Sequence, residues 1–150
     1  ESQPLEEWQY VQSLNLESNF HITKLLLPCL RQSGETSVIL VSSVVTKLGP
    51  GDSPAYTAGK AGQIGLTRHL AAELGKHGIR VNAVLPGLVD TDGTRAVNTD
   101  KRYREFAEDL QMVPIPIQSE DLAETIVFLS TPAARTITAA CIDVNGGLRV

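Results

Sequence analysis

Between Leu5 and Leu30 the apolar positions are Leu5, Trp8, Val11, Leu14, Leu16, Phe20, Ile22, Leu25, Leu26, Leu27 and Leu30. Their steps of mostly three and four predict one long helix or two continuous ones, stopped by Gly34. The run Ser37-Val38-Ile39-Leu40-Val41-Ser42 is short, apolar and β-branched, the pattern of a buried strand. Gly49-Pro50-Gly51-Asp52 predicts a loop. Ser53 then caps a second helix whose first position is Pro54, where the missing N–H costs nothing. That helix runs to about Lys76, with Gly78 as terminator. Arg80 to Leu85 is the next strand, stopped by Pro86-Gly87. Val89 to Asp100 is polar without a clear period. Lys101 to Leu110 predicts a short helix that Pro114 and Pro116 keep from continuing. Ser119 caps a further helix through Leu129, and Ile142-Asp143-Val144 is a last strand before Gly146-Gly147.

Alternation of helix and strand builds an α/β domain, a parallel sheet with helices on both faces and right-handed crossovers. Three strands are few for such a sheet. Composition fits one soluble domain, since the 150 residues are 42% hydrophobic and 20% charged. A net charge of −4 argues against nucleic acid or an anionic membrane as partner. No apolar run approaches the ~20 residues that span a bilayer, and the polar start Glu1-Ser2-Gln3-Pro4 is no signal peptide. Cys29 and Cys141 lack metal-ligand spacing and sit beside apolar residues, so both are expected to be buried free thiols, as suits the cytoplasm. His21, His69 and His77 share no metal-like spacing either. The chain opens almost directly into a helix without an initiator Met, and is expected to be part of something longer.

The chemistry starts at Tyr56 and Lys60, which are four residues apart and project from one face near the start of the second helix. A phenol ionises near ~10 and is a poor proton carrier at neutral pH. A neighbouring ammonium stabilises the phenolate and brings it closer to the useful range. Tyr-x-x-x-Lys alone is weak, because such a pair more often packs on a helix surface. Ser43 strengthens it. It ends the first strand, at the sheet edge where open parallel sheets place their sites, and a Gly/Pro loop joins it to the helix. A strand-end hydroxyl facing a helix-start phenol makes a two-donor clamp for a carbonyl oxygen.

Five stretches together carry a resemblance. They are Asn15-Leu16-Glu17-Ser18-Asn19-Phe20, Val38 to Ser43, Tyr56-Thr57-Ala58-Gly59-Lys60-Ala61-Gly62, Ile79 to Gly87, and Ile142-Asp143-Val144-Asn145-Gly146-Gly147. In this order they resemble the catalytic and C-terminal half of the short-chain dehydrogenase/reductase family, over nearly the whole chain. The resemblance implies a Rossmann-like doubly wound sheet, present in part. It also implies an oxidoreductase that moves hydride between NAD or NADP and a secondary alcohol or ketone. Its catalytic residues would be Asn15, Ser43, Tyr56 and Lys60, with Ser42 an adjacent competitor for the serine. Tyr56 would pass the proton, Lys60 would lower the tyrosine pKa and bond the nicotinamide ribose, and Ser43 would hold the substrate oxygen. Asn15 would steady a water linking Lys60 to solvent, although an asparagine at a helix kink can equally bond backbone. Pro86, Gly87, Val89 and Thr91 would line the nicotinamide, and no metal is implied.

The family's Gly-rich pyrophosphate turn and the residue that selects NAD or NADP do not occur in these residues. The competing reading is therefore a non-catalytic module acting in oligomer contacts or as a regulatory partner. Among enzymes, a sugar-nucleotide epimerase of the related extended family is the rival, opposed by the short connections and the late Gly146-Gly147. Ala55, Ala58, Gly59, Ala61, Gly62 and Gly65 leave the second helix nearly bare, so another backbone should approach it, from the sheet or from a second subunit. A homo-oligomer, dimer or tetramer, is expected. Ala139 stands where the family usually has Gly.

Overall fold

A computed structural model describes residues 3–34, 36–48, 53–97 and 109–149. A helical path runs from α1 (Leu5–Gln12) through a widened π turn (Ser13–Glu17) into α2 (Ser18–Gln32). Strand β1 (Thr36–Val41), helix α3 (Pro54–Leu74) and strand β2 (Ile79–Pro86) follow. The remainder comprises α4 (Asp92–Val97), α5 (Ser119–Ser130) and β3 (Cys141–Val144). The strands form a parallel sheet in the order β1-β2-β3, with Val38 opposite Val81 and Val84 opposite Ile142.

Strand alternation divides the core between two layers. Ile79 and Val81 pack with Leu70, Ala71 and Leu74 of α3, and with Leu27, Leu30 and Val38. Val84, one pleat over, packs on the opposite face with Leu129 of α5, Ile39 and Ile142. The middle strand is thus covered on both faces, which is why it reads as a nearly continuous apolar run. Asn82 is fully buried in that run. Its carboxamide donates to the Ile137 carbonyl at 2.9 Å and accepts the Ala140 N–H at 3.1 Å, so its polarity is satisfied by the loop that leads into β3.

The helix signals work as chemistry dictates. Ser53 Oγ accepts the Tyr56 N–H at 3.1 Å, and Pro54 opens α3. The α-helix ends earlier than expected, at Leu74 with Gly75 as its cap, and Gly78 closes the 3₁₀ turn Gly75–His77 that follows, at φ +74, where a Cβ would also stand 2.9 Å from the Gly34 carbonyl oxygen. Several expectations need correction. Ser119 is the first residue of α5 and not its cap. Gln118 caps it, exchanging hydrogen bonds with Asp121 in a capping box. The stretch expected to lack a period contains α4, closed by Thr91 and Thr94 bonding each other's N–H at 3.1 and 2.9 Å. Cys29 is exposed because Leu27 and Leu30 turn the other way, into the core, and Cys141 is only half-buried on the outer strand β3. The loop Gly49–Asp52 lies outside the described residues, as does most of the helix expected at Lys101–Leu110. No helix among the described residues is long and apolar enough to cross a membrane.

Ala139 has φ +59, the one non-glycine in the left-handed region among the described residues, and its N–H is tied to the Val81 carbonyl at 2.8 Å. A side chain there costs about 1–2 kcal/mol, part of which glycine returns through its freer unfolded state. Ala139→Gly is therefore expected to stabilise the protein by about 0.5–1 kcal/mol in urea unfolding; a loss of stability would contradict this account of the turn.

Candidate active site

The end of β1 and the start of α3 are joined by two reciprocal contacts. Ser42 Oγ donates to the Lys60 carbonyl at 2.8 Å, and Lys60 Nζ donates to the Val41 carbonyl at 2.8 Å. The first fixes the backbone of α3 and the second fixes its ammonium, so Lys60 is set from both ends. Its Nζ stands 5.4 Å from the centroid of the Tyr56 ring. The structure thus places Tyr56, Lys60, Ser42 and Ser43 together at the C-terminal edge of the sheet.

The two serines differ in what they are free to do. Ser42 is 2% exposed and spent on the Lys60 carbonyl. Ser43 is half-buried and extended, and its Oγ accepts the Val45 N–H at 3.3 Å, capping a short turn at Val44–Thr46. Accepting leaves its O–H available to donate. This is the physical distinction that spacing alone could only rank.

Asn15 sits at the centre of the π turn. Its Nδ2 donates to the Val11 carbonyl at 3.0 Å, the backbone bond expected of an asparagine at a kink. Its own carbonyl accepts from Asn19 Nδ2 at 2.7 Å and from Gln63 Nε2 of α3. The turn lies tight on α3, since a Cβ on Gly59 would be 3.1 Å from Asn15 Cβ and one on Gly62 would be 2.7 Å from Leu16 Cδ2. What approaches the bare helix at Gly59 and Gly62 is therefore the side chains of this turn of the same chain, where another backbone was expected, while Gly65 meets nothing within 4 Å. Gln12 and Gln3 complete the seam, Gln12 Nε2 donating to the Ala55 carbonyl at 2.7 Å and Gln3 Oε1 accepting the Ala55 N–H at 3.2 Å.

Sequence reasoning missed these three glutamines. For Gln63 a signal existed, because four-residue spacing puts it on the face of Gly59, Thr67, Leu70 and Leu74, the side that packs inward.

Pro86 ends β2, and the next residues hold one another. Gly87 donates to the Val144 carbonyl at 3.0 Å, and a Cβ there would stand 3.0 Å from Asn145 Cβ and Ile117 Cδ1. Val89 is buried and bridges to Ile117, and its carbonyl accepts from Thr94 Oγ1 at 2.7 Å. The Thr91 hydroxyl is shared with Thr94 at 3.1 Å. No cluster of His, Cys, Asp or Glu fit to hold a metal occurs among the described residues.

Partial burial lowers the pKa of Lys60. The folded protein releases that proton at lower pH than the unfolded chain does. Between the two pKa values the unfolded chain binds more protons, so the Lys60 contribution to stability rises with pH. Wild type is therefore expected to gain on Lys60→Met as pH climbs towards ~10.4, the ordinary lysine value. Paired urea unfolding curves at neutral and alkaline pH check this, and a gap that stays constant or moves the other way counts against the buried ammonium.

A family model described as "Enoyl-(Acyl carrier protein) reductase" matches residues 1–149. The 3-oxoacyl-[acyl-carrier-protein] reductase FabG of Vibrio cholerae is 35% identical over 145 residues, covering 95% of this chain and 58% of that protein. The (3R)-3-hydroxyacyl-CoA dehydrogenase of Rattus norvegicus is 38% identical over 148 residues, covering 95% and 55%. The chain thus spans little more than half the length of these relatives. Among solved structures, a 7 alpha-hydroxysteroid dehydrogenase complexed with NADH and 7-oxo glycochenodeoxycholic acid superposes with a TM-score of 0.92 at 26% identity, covering 98% of this chain and 57% of the other. A 3-oxoacyl-[acyl-carrier protein] reductase from Brucella melitensis gives 0.91 at 29% identity, covering 99% and 55%. Sheet order, the contacts of Lys60 with the end of β1, and these matches agree: the chain belongs to the short-chain dehydrogenase/reductase family.

Proposed function

We propose that Tyr56, Lys60 and Ser43 form the proton-handling centre of an oxidoreductase that interconverts a secondary alcohol and a ketone with NAD or NADP. The observation that carries this reading is the Lys60 ammonium fixed 5.4 Å from the Tyr56 ring centroid, at the strand edge that also presents Ser43. NAD(P) would supply or accept the hydride when bound. An ammonium has three donors, and Lys60 spends one on Val41, so two remain for a ribose hydroxyl pair. Pro86 ends the neighbouring strand β2, Gly87, Val89 and Thr91 follow it, and these residues would line the nicotinamide side. The tight use of Gly87, Val89 and Thr91 within the protein makes them a rigid wall more than a set of free donors.

In the reducing direction the Ser43 O–H donates to the substrate carbonyl and polarises it. The Tyr56 O–H gives its proton to the same oxygen, leaving a phenolate that the Lys60 charge stabilises. In the oxidising direction the phenolate takes that proton back. Asn15 acts as the hub of the π turn that seats α3. A homo-oligomer, dimer or tetramer, fits the exposed Phe20, Ile22, Leu25 and Leu26 of α2.

The names of the relatives make 3-oxoacyl thioesters the first substrates to try. In the full protein Tyr56→Phe is expected to lose about 10²–10⁴-fold in turnover while still quenching or enhancing NAD(P)H fluorescence on binding. Wild type lacking both cofactor binding and turnover would favour the non-catalytic module instead. Turnover surviving in Tyr56→Phe would remove the tyrosine from the chemistry.

A further inference from the structure

Four residues beyond Ser43 the chain places Lys47, whose ammonium pairs with the Asp143 carboxylate on β3. The sheet runs β1-β2-β3, so this contact crosses β2. Asp143 stands in register with Leu85, the residue before Pro86 ends β2. Its neighbour Ile142 packs on the α5 face of the sheet, so strand alternation puts Asp143 on the α3 face. The turn Val44–Thr46 also packs against α3. The ion pair therefore runs across that face, from the turn that follows Ser43 to the outer strand. The other polar contacts of the turn are local. Ser43 Oγ accepts the Val45 N–H at 3.3 Å, and the Ser43 carbonyl accepts the Thr46 N–H at 3.3 Å and the Thr46 hydroxyl at 2.9 Å. The Lys47 N–H donates to the Val44 carbonyl at 2.9 Å. These bonds shape the turn without fixing it to the sheet. The buried Val44 side chain anchors its start by apolar contact, which is not directional. Among the described residues, Lys47 to Asp143 is the one hydrogen bond or ion pair that carries the turn to another element, and neither side chain has a second partner.

We infer that Lys47 and Asp143 are positioning residues, whose ion pair braces the turn that presents the Ser43 hydroxyl by tying it across the end of β2 to β3. The functional half rests on the reading of Ser43 as the group that meets the substrate oxygen, while the brace itself does not. The two side chains keep 42% and 41% of their surface in water, so salt screens the contact and its strength is modest. A modest brace matters at this position, because a misplacement of about 1 Å in a reacting group can cost about 10²-fold in rate. The chain thus adds to the Ser42–Lys60 junction a second, electrostatic tie on the far side of Ser43.

The test is a double-mutant cycle in the full protein, with Lys47→Met, Asp143→Asn and the two combined, none of which empties a buried position. Amide hydrogen exchange at Val45 and Thr46 is the readout that needs no activity. Each single variant is expected to exchange about 1.5- to fivefold faster there, the range of an exposed ion pair. The double variant should be no faster than either single one, and added salt should bring wild type towards the variants. Turnover of a 3-oxobutanoyl thioester with NADH or NADPH reads the functional half. There kcat is expected to fall by a similar factor in all three variants, with cofactor KM unchanged. Unchanged exchange at both amides, or losses that simply add in the double variant, would overturn the brace. Faster exchange with an unchanged kcat would overturn the functional half. An inactive wild type would count against the proposed reaction, and hydrogen exchange would then decide the brace by itself.

Discussion

The candidate site depends on how α3 is pinned to the end of β1. Helix α3 brings Tyr56 and Lys60, and β1 brings Ser42 and Ser43, from segments separated by a loop. A loop alone cannot hold two such elements to a fraction of an ångström. The Ser42 hydroxyl on the Lys60 carbonyl and the Lys60 ammonium on the Val41 carbonyl, each 2.8 Å, do so by crossing the junction in both directions. Each bond joins a side-chain donor on one element to a backbone acceptor on the other, so each ties a side chain directly to the fold of its neighbour. In the proposed reaction, preorganisation of this kind would let a proton donor and an oxygen clamp act together.

That junction needs support from behind, and the π turn supplies it. A regular helix over Ser13–Glu17 would present its turns to α3 at a different phase. The widened turn brings Asn15 and Leu16 against Gly59 and Gly62, where any Cβ would intrude. Gln63 then ties α3 to the π turn, and Gln12 with Gln3, just ahead of α1, holds Ala55 at the start of α3. Glycine in a helix interior costs about 1 kcal/mol relative to alanine. Here that cost is offset by close packing and by hydrogen bonds that could not otherwise reach.

Much of this was legible in the sequence. The β-branched runs marked β1 and β2, Ser53-Pro54 marked the start of α3, Gly78 marked the end of the 3₁₀ turn that follows it, and Tyr56 and Lys60 met near the end of the strand that carries Ser43. What escaped was decided by tertiary contact. The small face of α3 showed that something must approach and could not say that it was a turn of the same chain. Gln118 outcompeted Ser119 as a cap because Asp121 could answer it. Helix α4 has no apolar period and exists through the Thr91–Thr94 pairing. Apolar neighbours in sequence said nothing about burial of Cys29, because adjacent helix residues point in different directions.

The central claim is a division of labour at this junction, in which Ser42 holds the frame and Ser43 meets the substrate. Measuring turnover and unfolding free energy of Ser42→Ala and Ser43→Ala side by side in the full protein tests it most directly. The account expects Ser43→Ala to lose most of its turnover with nearly unchanged stability, and Ser42→Ala to lose about 1 kcal/mol of stability, the net worth of one hydrogen bond, with a smaller loss of turnover. The reverse assignment, or equal losses in both, would contradict it.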